Sequence, residues 1–223
     1  MSKLVLIPSP IGNLEDITIR AIETIKNVDL ILCEDTRRTI KLLNHLGIKK
    51  KLRSYHKFNE HSLIEKCIND IKAGVETGLL SDAGTPGISD PGYLIVKKCI
   101  DNNIDVECLP GPTALIPALV VSGLPCERFT FEGFLPIKKG RKTRLEELSS
   151  EKRTMIFYES PHKLIKTLTD FLKTFGPERQ ASVTKEISKV FESTVRGNLK
   201  EVLNQISDIK LKGEFVIVVR GMK

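Results

Sequence analysis

Apolar and polar residues alternate along this chain in two different rhythms. In the first half, short unbroken apolar runs carry β-branched residues: Leu4-Val5-Leu6-Ile7, Asp29-Leu30-Ile31-Leu32-Cys33, Val75 to Leu80 around Glu76-Thr77-Gly78, and Ile104 to Leu109. Runs of this kind predict strands buried on both faces. Between them, apolar positions recur at helical spacing: Thr18, Ala21, Ile22 and Ile25; Leu42, Leu43 and Leu46 before Gly47; Leu63, Ile64, Cys67, Ile68 and Ile71 before Gly74; then Tyr93 to Ile100. Leu52 to Tyr55 is a weaker strand, and Pro110-Gly111-Pro112-Thr113-Ala114 opens a helix rich in Ala, Leu and Val. Strands alternating with helices predict a mostly parallel sheet.

Beyond Gly123-Leu124-Pro125 the rhythm changes. Phe129 to Phe134 alternates like a half-exposed strand, and Thr154 to Tyr158, Ala181 to Thr184, Ser193 to Arg196 and Phe215 to Val219 are further strands. Helices are predicted from Pro161 to Phe175, stopped by Gly176-Pro177, and from Leu199 to Ile206. Short connections between several of these strands predict a mixed sheet. The fold class is therefore α/β, with an N-terminal α/β domain over residues 1–122 and a C-terminal one over residues 126–223.

Composition narrows the class. The chain has 223 residues with 40% hydrophobic and 28% charged, ordinary for a soluble globular protein. No apolar run approaches the roughly 20 residues of a membrane span. Five scattered cysteines without a C-x-x-C pair argue against a disulfide framework or a zinc site and fit reduced, cytoplasmic thiols. His45, His56, His61 and His162 lack metal-ligand spacing. A net charge of +7 is compatible with a polyanionic partner such as RNA.

The candidate chemistry lies in loops at the carboxyl ends of strands, where open α/β sheets bind ligands. Pro8-Ser9-Pro10-Ile11-Gly12-Asn13 follows the first strand and Glu34-Asp35-Thr36-Arg37-Arg38 the second. After Leu80, the eleven residues Asp82 to Gly92 hold three glycines, two prolines and two aspartates. Glycine permits close backbone approach and proline fixes the path between such points. Asp90 reads either as a ligand-facing carboxylate or as the cap of a helix with Pro91 at its first position. Asp82 lies too far upstream to cap that helix. No P-loop, G-x-G-x-x-G, H-E-x-x-H or G-x-S-x-G is present, which disfavours the enzymes built on them.

These runs, with Phe131-Glu132-Gly133-Phe134-Leu135-Pro136, Phe157-Tyr158-Glu159-Ser160-Pro161-His162 and Gly213-Glu214-Phe215-Val216, cover nearly the whole chain in order. Together they resemble the tetrapyrrole-methylase superfamily, the class III S-adenosylmethionine-dependent methyltransferases. The likeness is nearest to the branch that methylates a cytidine 2′-hydroxyl in the decoding region of bacterial 16S rRNA. The resemblance implies a cofactor cleft between two α/β domains and a homodimer acting on the 30S subunit. It places S-adenosylmethionine near Pro8, Asp82, Ala83, Thr85, Thr113 and Ala114, with Tyr158 and Thr184 from the second domain. Members of that branch generally continue past the Gly-Glu-Phe-Val strand into a small further region.

A ribose hydroxyl is a very weak acid, so its methylation needs a nearby base or cation beside good alignment. Asp35 and Arg37, Glu159 and His162, and Lys185-Glu186 with Lys189 are the candidates. Lys189 and Glu186 are preferred, since a lysine beside a carboxylate serves as base if desolvation lowers its pKa. The alternative is that these residues support the site or touch RNA phosphates. Lys138-Lys139-Gly140-Arg141-Lys142-Thr143-Arg144 packs five cations into seven residues of an expected loop, and Lys49-Lys50-Lys51-Leu52-Arg53 is a second cluster. Both suit phosphates. Competing readings are a methyltransferase for a corrin precursor or diphthamide, and a non-catalytic ribosome-binding protein on the same scaffold.

Overall fold

The computed structural model describes residues 2–222. The chain forms two compact units, one running to Thr113 and the other beginning at Ala114.

In the first unit, strands β1 (Leu4–Ile7), β2 (Leu30–Cys33), β3 (Lys51–Ser54), β4 (Thr77–Leu80) and β5 (Val106–Cys108) form one parallel sheet in the order β3-β2-β4-β1-β5. The unbroken apolar runs arise because both faces are covered. Val5, Ile7, Ile31 and Leu80 pack with α1 (Ile19–Asn27) and α2 (Thr36–His45), while Leu4, Leu6, Leu32 and Leu79 pack with α3 (Glu60–Lys72) and α4 (Tyr93–Asp101). Each such side chain removed from water contributes about 1.5–3 kcal/mol. The chain leaves β1 towards β2 and leaves β4 towards β5. The two connections start from neighbouring strands and run in opposite directions over opposite faces of the sheet, the kind of point at which doubly wound sheets open a crevice above the strand ends.

The second unit carries a mixed sheet in the order β6-β7-β10-β8-β9: β6 (Phe129–Gly133), β7 (Thr154–Glu159), β8 (Gln180–Lys185), β9 (Ser193–Asn198) and β10 (Phe215–Val219). Only the β6–β7 pairing is parallel. One face packs Met155, Phe157, Val183 and Ile217 against α6 (Arg141–Ser149), α7 (Leu164–Phe175) and α8 (Leu199–Ser207). Helix α5 (Leu115–Ser122) packs against strands of this same sheet, so it groups with the second unit.

Two local expectations are corrected. Asp90 does not cap the helix that follows: α4 begins after Gly92, whose φ of 153° and lack of a side-chain cap leave Asp90 and Pro91 in the preceding loop. The expected loop around the basic run is in large part helix α6, whose buried positions Arg141, Leu145 and Leu148 follow helical spacing. An arginine at the first position of that stripe hides it from a reading of apolar residues alone.

Candidate active site

The carboxyl ends of β1, β4 and β5 are tied into one unit by backbone groups. Ser9 and Gly84 exchange both of their amide-to-carbonyl bonds, at 2.9 and 3.0 Å. The Ser9 hydroxyl donates to the Ser81 carbonyl at 3.0 Å, and the Ser81 hydroxyl to the Gly84 carbonyl at 2.7 Å. Thr85 Oγ1 donates to the Pro112 carbonyl at 3.0 Å. A side chain at Gly111 would place its Cβ 2.6 Å from Pro8 Cγ, so only glycine lets these loops close on one another. Gly84 (φ +83°) also lies against Ile11, Pro112 and Thr113. Pro8, Asp82, Ala83, Thr85 and Thr113 therefore belong to one set of interlocked or adjoining loops, and Ala114 opens the second unit.

Charge enters this frame from β2. Asp82 Oδ1 accepts the Asp35 amide at 3.1 Å, while its other oxygen faces the Arg38 guanidinium at 3.4 Å. A cavity of about 240 Å³ opens here, lined by Ser9, Pro10, Arg38, Thr39, Leu42 and Asp82. Asp90, in the same loop system, is pushed up to about 7 by burial and by the neighbouring Glu34 and Asp82 carboxylates. Glu34 is raised by burial and by Asp82. The region thus gathers three partly buried carboxylates, Glu34, Asp82 and Asp90, with Arg38 beside them. Burial, the main cause of that shift, is not written in the local sequence around Asp90.

Asp35 and Arg37 are largely committed to each other. Asp35 caps α2 by accepting the Arg37 amide at 2.9 Å, and the Arg37 guanidinium bonds both carboxylate oxygens, at 3.0 and 2.6 Å. The guanidinium and amide of Arg37 hold Asp35 well below the usual carboxylate range. Asp35 is accordingly a poor proton acceptor near neutral pH.

In the second unit, Tyr158 and Thr184 both pair with Val216, so the three lie in one row across β7, β10 and β8. Thr184 is fully buried and bonds Thr194 Oγ1 at 3.1 Å. Beyond β8, Glu186 (φ +54°) and Ser188 (φ +67°) turn the chain tightly. There the Lys189 ammonium meets Glu186 and Glu214, each at 2.9 Å, and Glu186 also accepts the Glu214 amide. Burial pulls the lysine down, but those two carboxylates outweigh it and hold Lys189 above its ordinary value. Desolvation does not free a neutral amine here, which corrects the reading of Lys189 as base.

The basic run separates into two kinds of residue. Arg141 is 7% exposed and donates to Asp170 at 2.9 Å, to Thr167 Oγ1 at 2.8 Å and to the Pro136 carbonyl at 3.1 Å. Thr167 passes its own hydroxyl to the buried Glu159 at 2.6 Å, and Glu159 also accepts the Ser160 amide. Arg141 is therefore a strut of the core and not a phosphate contact, because every arm of its guanidinium is spent inside the unit. Arg144 bonds Glu132 and Glu147. Lys138, Lys139 and Lys142 stand exposed. The second cluster is likewise partly structural: Lys50 reaches the Val28 carbonyl at 2.7 Å, and Arg53 pairs with Asp70 at 2.6 Å. Among the described residues, no group of three His, Cys, Asp or Glu side chains is placed to hold a metal ion, and no helix is long and apolar enough to cross a membrane.

A doubly wound parallel sheet with Pro/Gly loops interlocked above its strand ends, followed by a helix-backed mixed sheet, defines the class. The chain belongs to the tetrapyrrole (corrin/porphyrin) methylase family, whose model matches residues 3–203. Among curated proteins it is similar to ribosomal RNA small subunit methyltransferase I of Thermotoga maritima, 44% identical over 99% of each chain. The protein of the same name from Halalkalibacterium halodurans is 48% identical, over 98% of this chain and 75% of its own. The further C-terminal region expected of this branch thus has room in the second relative and almost none in the first. Among solved structures, uroporphyrin-III C-methyltransferase of Thermus thermophilus, complexed with S-adenosylhomocysteine, superposes with a TM-score of 0.66 at 18% identity, covering 97% of each chain.

Proposed function

We propose that this protein transfers a methyl group from S-adenosylmethionine to the 2′-hydroxyl of a cytidine in the decoding region of 16S rRNA, acting on the 30S subunit in the cytoplasm. The observation that carries the reading is the 44–48% identity, over nearly all of this chain, to relatives named as small-subunit rRNA methyltransferases. The choice of a cytidine 2′-oxygen rests on the resemblance of the motifs.

The first unit fits a zwitterionic, adenine-bearing cofactor. Its interlocked loops offer backbone amides and carbonyls beside apolar Pro8, Pro10 and Pro112, and they are held close by a Gly111–Pro8 contact that has no room for a Cβ. Asp82, which faces Arg38 at 3.4 Å, supplies negative charge for a ligand bearing a sulfonium and an ammonium group. Ala83, Thr85, Thr113 and Ala114 would line it, with Tyr158 as the contact from the second unit; Thr184, fully buried in the same row of the sheet, supports that position from within and does not touch the ligand. When bound, the cofactor supplies an electrophilic methyl on sulfur. Alignment of the acceptor hydroxyl provides most of the acceleration. Asp90, raised to about 7, is the carboxylate suited to accept the hydroxyl proton near neutral pH. Lys189, held charged between Glu186 and Glu214, supports the turn beyond β8 and is not the proton acceptor. Exposed Ile116 and Val120 on α5, with Val190 and Phe191 beyond β8, suit a homodimer, expected as such in sedimentation.

The test is incubation with labelled S-adenosylmethionine and 30S subunits lacking the decoding-region 2′-O-methyl, followed by nucleoside mass spectrometry. Appearance of 2′-O-methylcytidine is expected; label on another nucleoside, or none, overturns the assignment. In calorimetry, Asp82→Ala should weaken cofactor binding about tenfold or more, the scale of a lost charged hydrogen bond. An unchanged affinity would remove Asp82 from the cofactor site.

A further inference from the structure

The second unit presents an exposed aromatic ring, Phe134, beside the expected cofactor contact Tyr158, and neither cofactor binding nor the methyl transfer as described uses that ring. The pairing of β6 with β7 slips one position between Phe131 and Gly133, and Gly133 takes a φ of +59°. Such a bulge re-aims the residue after it. Here it turns Phe134 outward: the ring is 58% exposed, whereas its neighbour Leu135 is 7% exposed. Phe134 is nonetheless held in place. Its ring meets Tyr158 edge-on at 5.8 Å between centroids, and Tyr158 meets Phe131 the same way at 4.9 Å. One side of Phe134 is braced and the rest faces water, an arrangement that suits a stacking partner at little entropic cost.

Phe134 borders a shallow cavity of about 700 Å³, shared with Glu132, Pro136, Gly140, Thr143 and Arg144. The carboxylates around it, Glu132 and Glu147, are both bonded by Arg144. Lys138 and Lys139 follow directly in the chain, both exposed and neither joined to a carboxylate among the described residues. Lys142, on the first turn of α6, is 91% exposed with only a 3.7 Å approach to Glu146. A braced, outward aromatic ring beside unneutralised cations matches an unpaired nucleotide: a base has a π face for the ring and a phosphate for the lysines.

We infer that Phe134 is a stacking platform for one unpaired base of the substrate RNA, whose adjoining phosphates lie against Lys138 and Lys139. The inference rests on the rRNA reading above, since it names the part of the protein that grips the strand.

The chain contains no tryptophan, so Phe134→Trp in the full-length protein introduces a single indole reporter at the platform. Titration with a single-stranded RNA dodecamer should quench its emission in step with binding. An abasic dodecamer of equal charge should bind more weakly and leave the emission nearly unchanged. Phe134→Ala should weaken binding of the dodecamer about fivefold or more, and Phe134→Tyr should restore it. Equal quenching by the abasic strand, unchanged affinity of Phe134→Ala, or no binding of the dodecamer overturns the platform.

The two readings fail separately. Methyl transfer to 30S subunits that persists while Phe134→Ala binds RNA normally sinks the platform and leaves the proposed function standing. Base-dependent quenching without methyl transfer by the unmodified protein supports the platform and sinks the function.

Discussion

The two units hold polar groups in position by different means. Above the first sheet, position is set by backbone: Ser9 and Gly84 bond each other through main-chain groups, and Gly111 lies against Pro8 where no side chain fits. Behind the second sheet, position is set by charged side chains, with Arg141 gathering Asp170, Thr167 and the Pro136 carbonyl, and Thr167 reaching Glu159. A backbone-built frame does not need every carboxylate for support: Asp35 and Asp82 meet arginines, but Asp90 is left to answer to its surroundings. A frame built from ion pairs consumes its charges, so that Arg141 and Lys189 are poorly placed to act as free reagents. Charge density along a sequence is therefore a poor guide to chemistry until it is known which charges are already spent.

The sharpest break of that contrast is Arg141→Met. It takes the guanidinium donor from Thr167 and leaves Asp170 with Lys166 alone, a loss on the order of 3 kcal/mol. The thermal transition should fall by about 10 °C, at roughly 2–4 °C per kcal/mol for a chain of this size. Lys139→Ala, two residues away and exposed, should leave the transition within about 1–2 °C. Equal melting of the two variants would show that Arg141 is not the strut described above.

The matching break in the first unit is Gly111→Ala. Its Cβ has no room beside Pro8, so the loops must part, at a cost of about 1–3 kcal/mol. Cofactor affinity measured by calorimetry should drop about tenfold or more, since 1.4 kcal/mol corresponds to one factor of ten. At Gly87 a Cβ meets nothing within 4 Å and the cost is only that of φ +85°, so Gly87→Ala should have the smaller effect. A Gly111→Ala protein with full affinity would mean that the closeness of these loops does not matter for the ligand.

Much of this architecture is legible from periodicity. The buried runs at Leu4, Leu30 and Thr77, and the helices between them, follow from strands covered on both faces, and the ordered Pro/Gly runs carry the family. The basic segment is where periodicity misleads. Arg141 occupies a core position by extending its guanidinium to Asp170, 29 residues later, and nothing local announces that partner. The same holds for Lys189, whose protonation depends on Glu214, 25 residues away. For Asp90 the sequence leaves a helix cap open beside a ligand-facing carboxylate, because Asp-Pro-Gly also suits a cap. The backbone at Gly92 instead delays the helix and leaves the carboxylate to its buried, like-charged surroundings.

That environment makes Asp90 the finest test of the contrast, with the smallest expected effect. Its pKa stands at about 7 against an ordinary 3.8, raised first by burial and then by Glu34 and Asp82. The folded protein thus holds this proton more tightly than the unfolded chain does. The stability gained is fully present below about pH 4, declines between pH 4 and 7, and is gone above 7. Asp90→Asn carries no titrating group there, so its stability relative to the wild type should rise across that window. The gain should reach no more than about 1 kcal/mol by pH 8, because the group keeps contact with water and screening reduces the effect. Urea titrations of both proteins at pH 4, 6 and 8 measure it, and a difference independent of pH would place Asp90 in ordinary solvent. Methyl transfer should move in the opposite sense. If the Asp90 carboxylate accepts the ribose proton, the wild-type rate falls as pH drops below 7, while Asp90→Asn is slow throughout and loses that limb. A variant that gains stability above pH 7 yet keeps the wild-type pH profile would show that the buried charge belongs to the frame and that the proton leaves by another route.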